Sequence, residues 1–132
     1  MGFAEMQHTA DWALHVWADD LPSLFAEAAR GMNALAGVRL AEGPRMSRTF
    51  EIQGADPESL LVAFLSELIY ALEQEHLGFS HFDIRMSGKK AAVDAQGASV
   101  TSLTKAVKAA TYHNLKIEKT GRGYEVVVVF DV

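Results

Sequence analysis

The sequence predicts an α+β fold in which two β-sheets, with about six to seven mostly antiparallel strands, share a layer of two α-helices. Three observations predict it. Residues 21–35 and 60–72 repeat apolar side chains at three-four spacing, the signature of amphipathic helices. Most other apolar residues fall in segments that alternate with period two and are separated by short turns. The last such segment holds the run Val126-Val127-Val128-Val129, which implies burial on both faces. A strand covered on both sides needs a second layer besides the helices.

The elements follow in order. Leu14-His15-Val16-Trp17 reads as a short strand after Asp11. Asp19 or Asp20 supplies an acceptor cap for the first helix, and Pro22 suits its first turn. Leu21, Leu24, Phe25, Ala28, Ala29, Met32 and Leu35 form its stripe, and Gly37 is the expected C-terminal stop. Residues 46–53 alternate as a strand, with Arg48 the one polar intrusion on the face of Met46, Phe50 and Ile52. Asp56-Pro57-Glu58 opens the second helix with a cap, a proline and an acid. Gly78 is expected to end it. Phe82, Ile84 and Met86 pair with Ala91, Val93 and Ala95 as a hairpin around Ser87-Gly88-Lys89-Lys90. Residues 97–104 read as a loop. Val107, Ala109, Thr111, His113, Leu115 and Ile117 read as one long alternating strand. Thr120-Gly121-Arg122-Gly123 turns into the final strand, residues 124–132. The three prolines mark element boundaries and no repeat is visible, so residues 1–132 are expected to form a single domain.

Composition removes several functions. With 132 residues and 49% hydrophobic side chains, the chain can bury a core and is not a disordered one. It has no cysteine, which excludes disulfides, a thiolate nucleophile, iron–sulfur clusters and Cys-based zinc. Twelve Lys+Arg against 17 Asp+Glu give a net charge of −5, which argues against a basic phosphate-binding surface and direct nucleic-acid binding. The first residues show neither a basic n-region nor an apolar h-region, so a cytoplasmic address is expected. The densest apolar stretch, residues 60–72, is broken by Ser66 and Glu67 and falls short of the roughly 20 residues that span a membrane. There is no phosphate-binding glycine loop, no dinucleotide fingerprint and no nucleophile elbow. His76 and His81 lack the spacing of a zinc-binding helix.

Four places could carry chemistry. His8-Thr9-Ala10-Asp11 suits a turn in which Thr9 and Asp11 bond local backbone, and it also offers a carboxylate. Asp131 follows Val-Val-Val-Val-Phe directly. Either the strand has left the core there, or something neutralises the acid. On the second reading, Asp131 and the Val132 α-carboxylate sit on a hard cation, and oxygen ligands suit calcium or magnesium rather than zinc. In Lys108-Ala109-Ala110-Thr111-Tyr112-His113, strand geometry puts Thr111 and His113 on one face; a sheet-edge structural histidine is the plainer reading. Glu67 lies near Tyr70 in the second helix, and a solvated face shared with Gln74 and Glu75 accounts for it equally well.

Taken in order, three fragments resemble a known family. They are His8-Thr9-Ala10-Asp11, the late Lys108-Ala109-Ala110-Thr111-Tyr112-His113-Asn114-Leu115, and Val129-Phe130-Asp131-Val132. With Leu60-Leu61 and Glu67-Leu68-Ile69-Tyr70 between them, the chain resembles the archease family over essentially its whole length. The resemblance implies a small cytoplasmic, non-enzymatic protein with a two-sheet-plus-helix fold. It implies activation of the RNA-splicing (tRNA) ligase of the RtcB type, which joins cyclic-phosphate or 3′-phosphate ends to 5′-hydroxyl ends. The activator promotes guanylylation of the ligase's active-site histidine and supports multiple turnover. A divalent metal, calcium with magnesium or manganese as alternatives, is implied on Asp11, Asp131 and Val132. His8, Lys108, His113 and Glu67 are implied as partner-activating residues of lower rank. The ligase would hold the RNA, which reconciles the acidic balance with RNA processing. Some positions depart from the family pattern: Gln7 replaces an acid, Ala110 a valine, and Tyr124 a usual tryptophan, while residues 97–104 are short. A different reading is a chaperone or modulator of an RNA-modifying enzyme such as a tRNA methyltransferase. A small metal-dependent hydrolase is a weaker third, because no general base accompanies the carboxylates.

Overall fold

The structure, a computed structural model, describes residues 1–6 and 12–132. Its elements are β1 (Gly2–Met6), β2 (Trp12–Ala18), α1 (Leu21–Ala36), β3 (Arg39–Leu40), β4 (Met46–Gln53) and α2 (Pro57–Tyr70). A π-helical turn, Ala71–Glu75, prolongs α2. Then come β5 (Leu77–Ser87), β6 (Lys90–Ser102), β7 (Ala109–Ala110), β8 (Glu118–Thr120) and β9 (Gly123–Asp131). One sheet has the order β1-β2-β9-β7, with β8 also on β9; the other has β3-β6-β4, with β5 also on β6. All the pairs are antiparallel. The expected α+β architecture with two helices and two sheets is present. None of the helices among the described residues is long and apolar enough to cross a membrane.

Both helices start where local chemistry says they should. The Asp20 carboxylate accepts from the Ser23 amide at 2.8 Å, and that of Asp56 from Ser59 at 2.8 Å. Each cap satisfies an amide that has no partner within the helix, and a proline follows at the first turn of each. At the other end of α1, Gly37 takes φ +66°, and its amide reaches the Ala34 carbonyl at 3.2 Å. A side chain at Gly37 would also collide with Thr104.

The core joins these elements through one aromatic group. Phe64 of α2 lies 5.7 Å from Phe25 of α1, 6.4 Å from Phe50 of β4 and 5.5 Å from Phe82 of β5, centroid to centroid. On the other sheet, Leu14, Val16, Val126, Val128 and Phe130 are buried. Both helices contact strands of both sheets, so the helical layer is shared as expected.

Several expectations change. The second helix does not end at Gly78; it ends at His76, whose backbone takes φ +54°. Gly78 belongs to β5, where a Cβ would strike the Leu40 side chain. Opposite, a side chain at Gly97 would strike the Gly78 carbonyl. That close approach carries β6 through to Ser102, so residues 97–102 are strand rather than loop. The expected long strand from Val107 to Ile117 reduces to β7. Val107 and Ala110 are buried, but the chain leaves the sheet at Thr111 and turns through Asn114 at φ +50°. Its alternating apolar residues are separate anchors into the core, not one face of a ladder. Thr111 and His113 therefore share no strand face. The valine run is also not buried evenly on both faces: Val126, Val128 and Val129 are buried, while Val127 is partly covered. Strands β1 and β3 have no counterpart in the expected pattern, because each pairs with one neighbour and β3 is only two residues long.

Candidate functional site

The site forms where β9 ends. Its last residue, Asp131, pairs with Ala109 of β7, and its carbonyl accepts from the Lys108 amide at 2.8 Å. One step earlier, the Val129 carbonyl accepts twice from Thr111, from the amide at 2.9 Å and from the hydroxyl at 3.0 Å. Thr111 is thus a latch that holds the chain on β9 as it turns away. The hydroxyl then accepts from the His113 amide at 3.3 Å, while the Leu115 amide closes the turn on the Tyr112 carbonyl at 3.0 Å. Further along, the Ile117 amide donates to the Glu58 carboxylate at 2.8 Å, pinning the segment's end to the first turn of α2.

These bonds bring the late motif to the acid. The side chains of Lys108, His113 and Asp131 are all exposed beside the end of β9. Val132 is half-buried and packs against the core, so the strand's final apolar residue anchors the position of Asp131. Across the sheet, Trp12 stands opposite Phe130. The Lys105 ammonium lies 4.9 Å from the centroid of the Trp12 ring, a cation–π contact. Among the described residues, the Asp131 carboxylate has no ion-pair partner.

The other expected site residues divide. His8 and Asp11 lie outside the described residues. Asp11 is the chain neighbour of Trp12 in sequence. Glu67 is exposed on α2, where its charge acts on Arg48; no hydrogen bond or ion pair among the described residues joins it to Asp131, Lys108 or His113. Arg48 itself makes a two-pronged pair with Glu75 at 2.5 and 2.7 Å, over the Phe79 ring. No group of three His, Cys, Asp or Glu side chains that could hold a metal ion occurs among the described residues, and the expected set draws on Asp11. The donors at Asp131 and Val132 are oxygens, the ligand type of a hard cation. Sequence reasoning missed Lys105, Thr111 and exposed Tyr112 as parts of this end of the molecule. Only the Lys105 spacing before Lys108 hinted at it.

The family model of the Archease protein family (MTH1598/TM1083) matches residues 3–132. The chain belongs to the archease family. Protein archease of Methanopyrus kandleri is 30% identical over the whole of both chains. That of Pyrococcus furiosus is 31% identical over 89% of this chain and 88% of its own. The fold matches the crystal structure of an archease from Thermotoga maritima, described there as a possible chaperone, with a TM-score of 0.72 at 22% identity over 96% of this chain and 94% of that one. It also matches the solution structure of protein 1598 of Methanobacterium thermoautotrophicum, with a TM-score of 0.73 at 24% identity over 99% of both. The archease matches run through the late segment to the end of β9, so the site described above lies within the family region.

Proposed function

We propose that this archease is a non-enzymatic, cytoplasmic activator of an RNA-splicing ligase, promoting guanylylation of the ligase's active-site histidine and its multiple turnover. The observation that carries the proposal is the fastening of residues 108–114 to the end of β9 in a chain of the archease family. This puts an exposed lysine, an exposed histidine and an exposed carboxylate on one end of a rigid sheet, where a partner's active site can meet them. Asp11, Asp131 and Val132 would hold a divalent cation, calcium before magnesium or manganese, and Lys108, His113, His8 and Glu67 would serve the partner. When bound, such a cation supplies a fixed positive charge at the contact. The net charge of −5 leaves RNA to the ligase rather than to this chain.

The test is guanylylation of the RNA-splicing ligase from the same source, followed with labelled GTP. Added protein should accelerate it, and Asp131→Asn or Asp11→Asn should remove the acceleration while keeping the thermal midpoint. An unchanged rate with and without the protein would overturn the proposal.

A second reading is a chaperone or modulator of an RNA-modifying enzyme such as a tRNA methyltransferase. What favours it is the set of exposed apolar side chains, among them Tyr112, Trp17 and Met6. Suppression of a client's light scattering by the Asp131→Asn protein, with no effect on ligase guanylylation, would favour this reading over the first.

A further inference from the structure

We infer that β1 is a self-association edge, at which two copies of this chain pair their β1 strands antiparallel about a two-fold axis at Ala4. β1 ends its sheet and pairs only with β2, so one side of its backbone is unpaired. Sheet edges in stable monomers are usually short, bulged, or protected by lysine, proline or an inward charge. The other edges here follow that rule. β3, β7 and β8 are two or three residues long. β5 carries an irregularity between Phe79 and His81. β4 turns Arg48 to the face of Phe50 and Ile52, where Glu75 holds it. Gly2-Phe3-Ala4-Glu5-Met6 has no proline, no lysine and no bulge.

The strand is also held ready. Phe3 covers Gly31 of α1, so closely that a Cβ on Gly31 would meet its ring. Of the exposed large apolar side chains, Met1, Phe3, Met6 and Trp17 lie on β1 or next to it. Self-pairing also suits the strand's one charge. An Ala4-centred register overlaps all five residues and sets Gly2 opposite Met6 and Phe3 opposite Glu5 of the second copy. The two Glu5 side chains then stand on a diagonal, roughly 7–8 Å apart, instead of meeting across the pair. Isologous pairing of this kind closes as a dimer and goes no further.

The chain has no cysteine, which makes the test direct. Sedimentation equilibrium of the full chain should show the mean mass rising toward twice the monomer over about a hundred-fold concentration range. Ala4→Lys places two ammonium groups opposite each other on the axis and should hold the mass at one monomer, with an unchanged thermal midpoint. Ala4→Thr should dimerise like the parent. Under mild oxidation Ala4→Cys should form a covalent dimer at least about ten-fold faster than Ser87→Cys, placed at the far hairpin turn. A monomer mass at every concentration, with equal cross-linking rates for the two cysteine variants, overturns the inference and leaves the edge to a strand of another protein.

Discussion

The main-chain amide of Lys108 donates to the carbonyl of Asp131, so the lysine is tied to the acid through backbone, and its side chain is left exposed. Removing that side chain should therefore test function without disturbing the fold. Lys108→Ala should change unfolding free energy by no more than about 0.5 kcal/mol, as for other surface changes. Its effect should appear in ligase guanylylation. Lys108→Pro deletes the donor itself and should detach the segment, seen as faster amide exchange at Thr111 and His113.

Calcium titration should report on the same end of the molecule. Isothermal calorimetry of the parent should give a binding heat, and Asp131→Asn should weaken it at least about ten-fold, the effect of roughly 1.4 kcal/mol. Equal affinity in parent and variant would remove Asp131 from the ligand set.

A pH effect follows from the corner where Arg48 meets Glu75. The Arg48 side chain bonds the Glu75 carboxylate and holds its carboxyl below the ordinary range, while Glu75 raises Arg48. A carboxylate with a lowered folded-state pKa stabilises the fold above its unfolded pKa. That contribution disappears as pH falls through the lowered folded value. Glu75→Gln should thus be less stable than the parent near neutral pH, and the two denaturation midpoints should converge in acid. Added salt should narrow the neutral-pH gap, because both side chains are partly exposed.

Phe64 sits against Phe25, Phe50 and Phe82 and is fully buried, so its removal opens a cavity between α1, α2 and the second sheet. Phe64→Ala should cost about 3–5 kcal/mol in urea unfolding, and Phe64→Leu less than half of that.

The cap of α1 gives a smaller, local effect. Asp20→Ala leaves the Ser23 amide without its acceptor and should cost about 1 kcal/mol. Asp20→Asn, which keeps an acceptor oxygen, should recover most of it.

The helix caps were legible because their chemistry is local: Asp20, Pro22, Asp56 and Pro57 act within a single turn. Residues 46–53 and the 77–102 hairpin were legible for the same reason, apart from the reach of β6 beyond Gly97. That extension depends on Gly78 and Gly97 meeting across strands, a relation between two distant residues that neither neighbourhood displays. The 107–117 segment misled because its apolar residues alternate while anchoring at independent points. Its true determinant is Thr111 gripping Val129, which looks like any other threonine in sequence. At the site, Asp131 stood out for following a valine run, whereas Lys105 drew no notice because its partner Trp12 lies at the other end of the chain.

Strand β9 has a kinetic consequence for the whole molecule. It lies between β2 and β7 in its sheet, yet its contacts with β2 join residues such as His15 and Glu125, which are 110 positions apart. Such pairings close slowly, because a long loop must be ordered before they yield any contact. The β5–β6 hairpin with β4 can form from nearby sequence, while β1 and β2 wait for β9. On the ribosome, then, the second sheet and the helices would be the early scaffold. The Asp131 end would be completed last, in the same step that closes the first sheet, so that a chain able to present this site is one that has already finished folding.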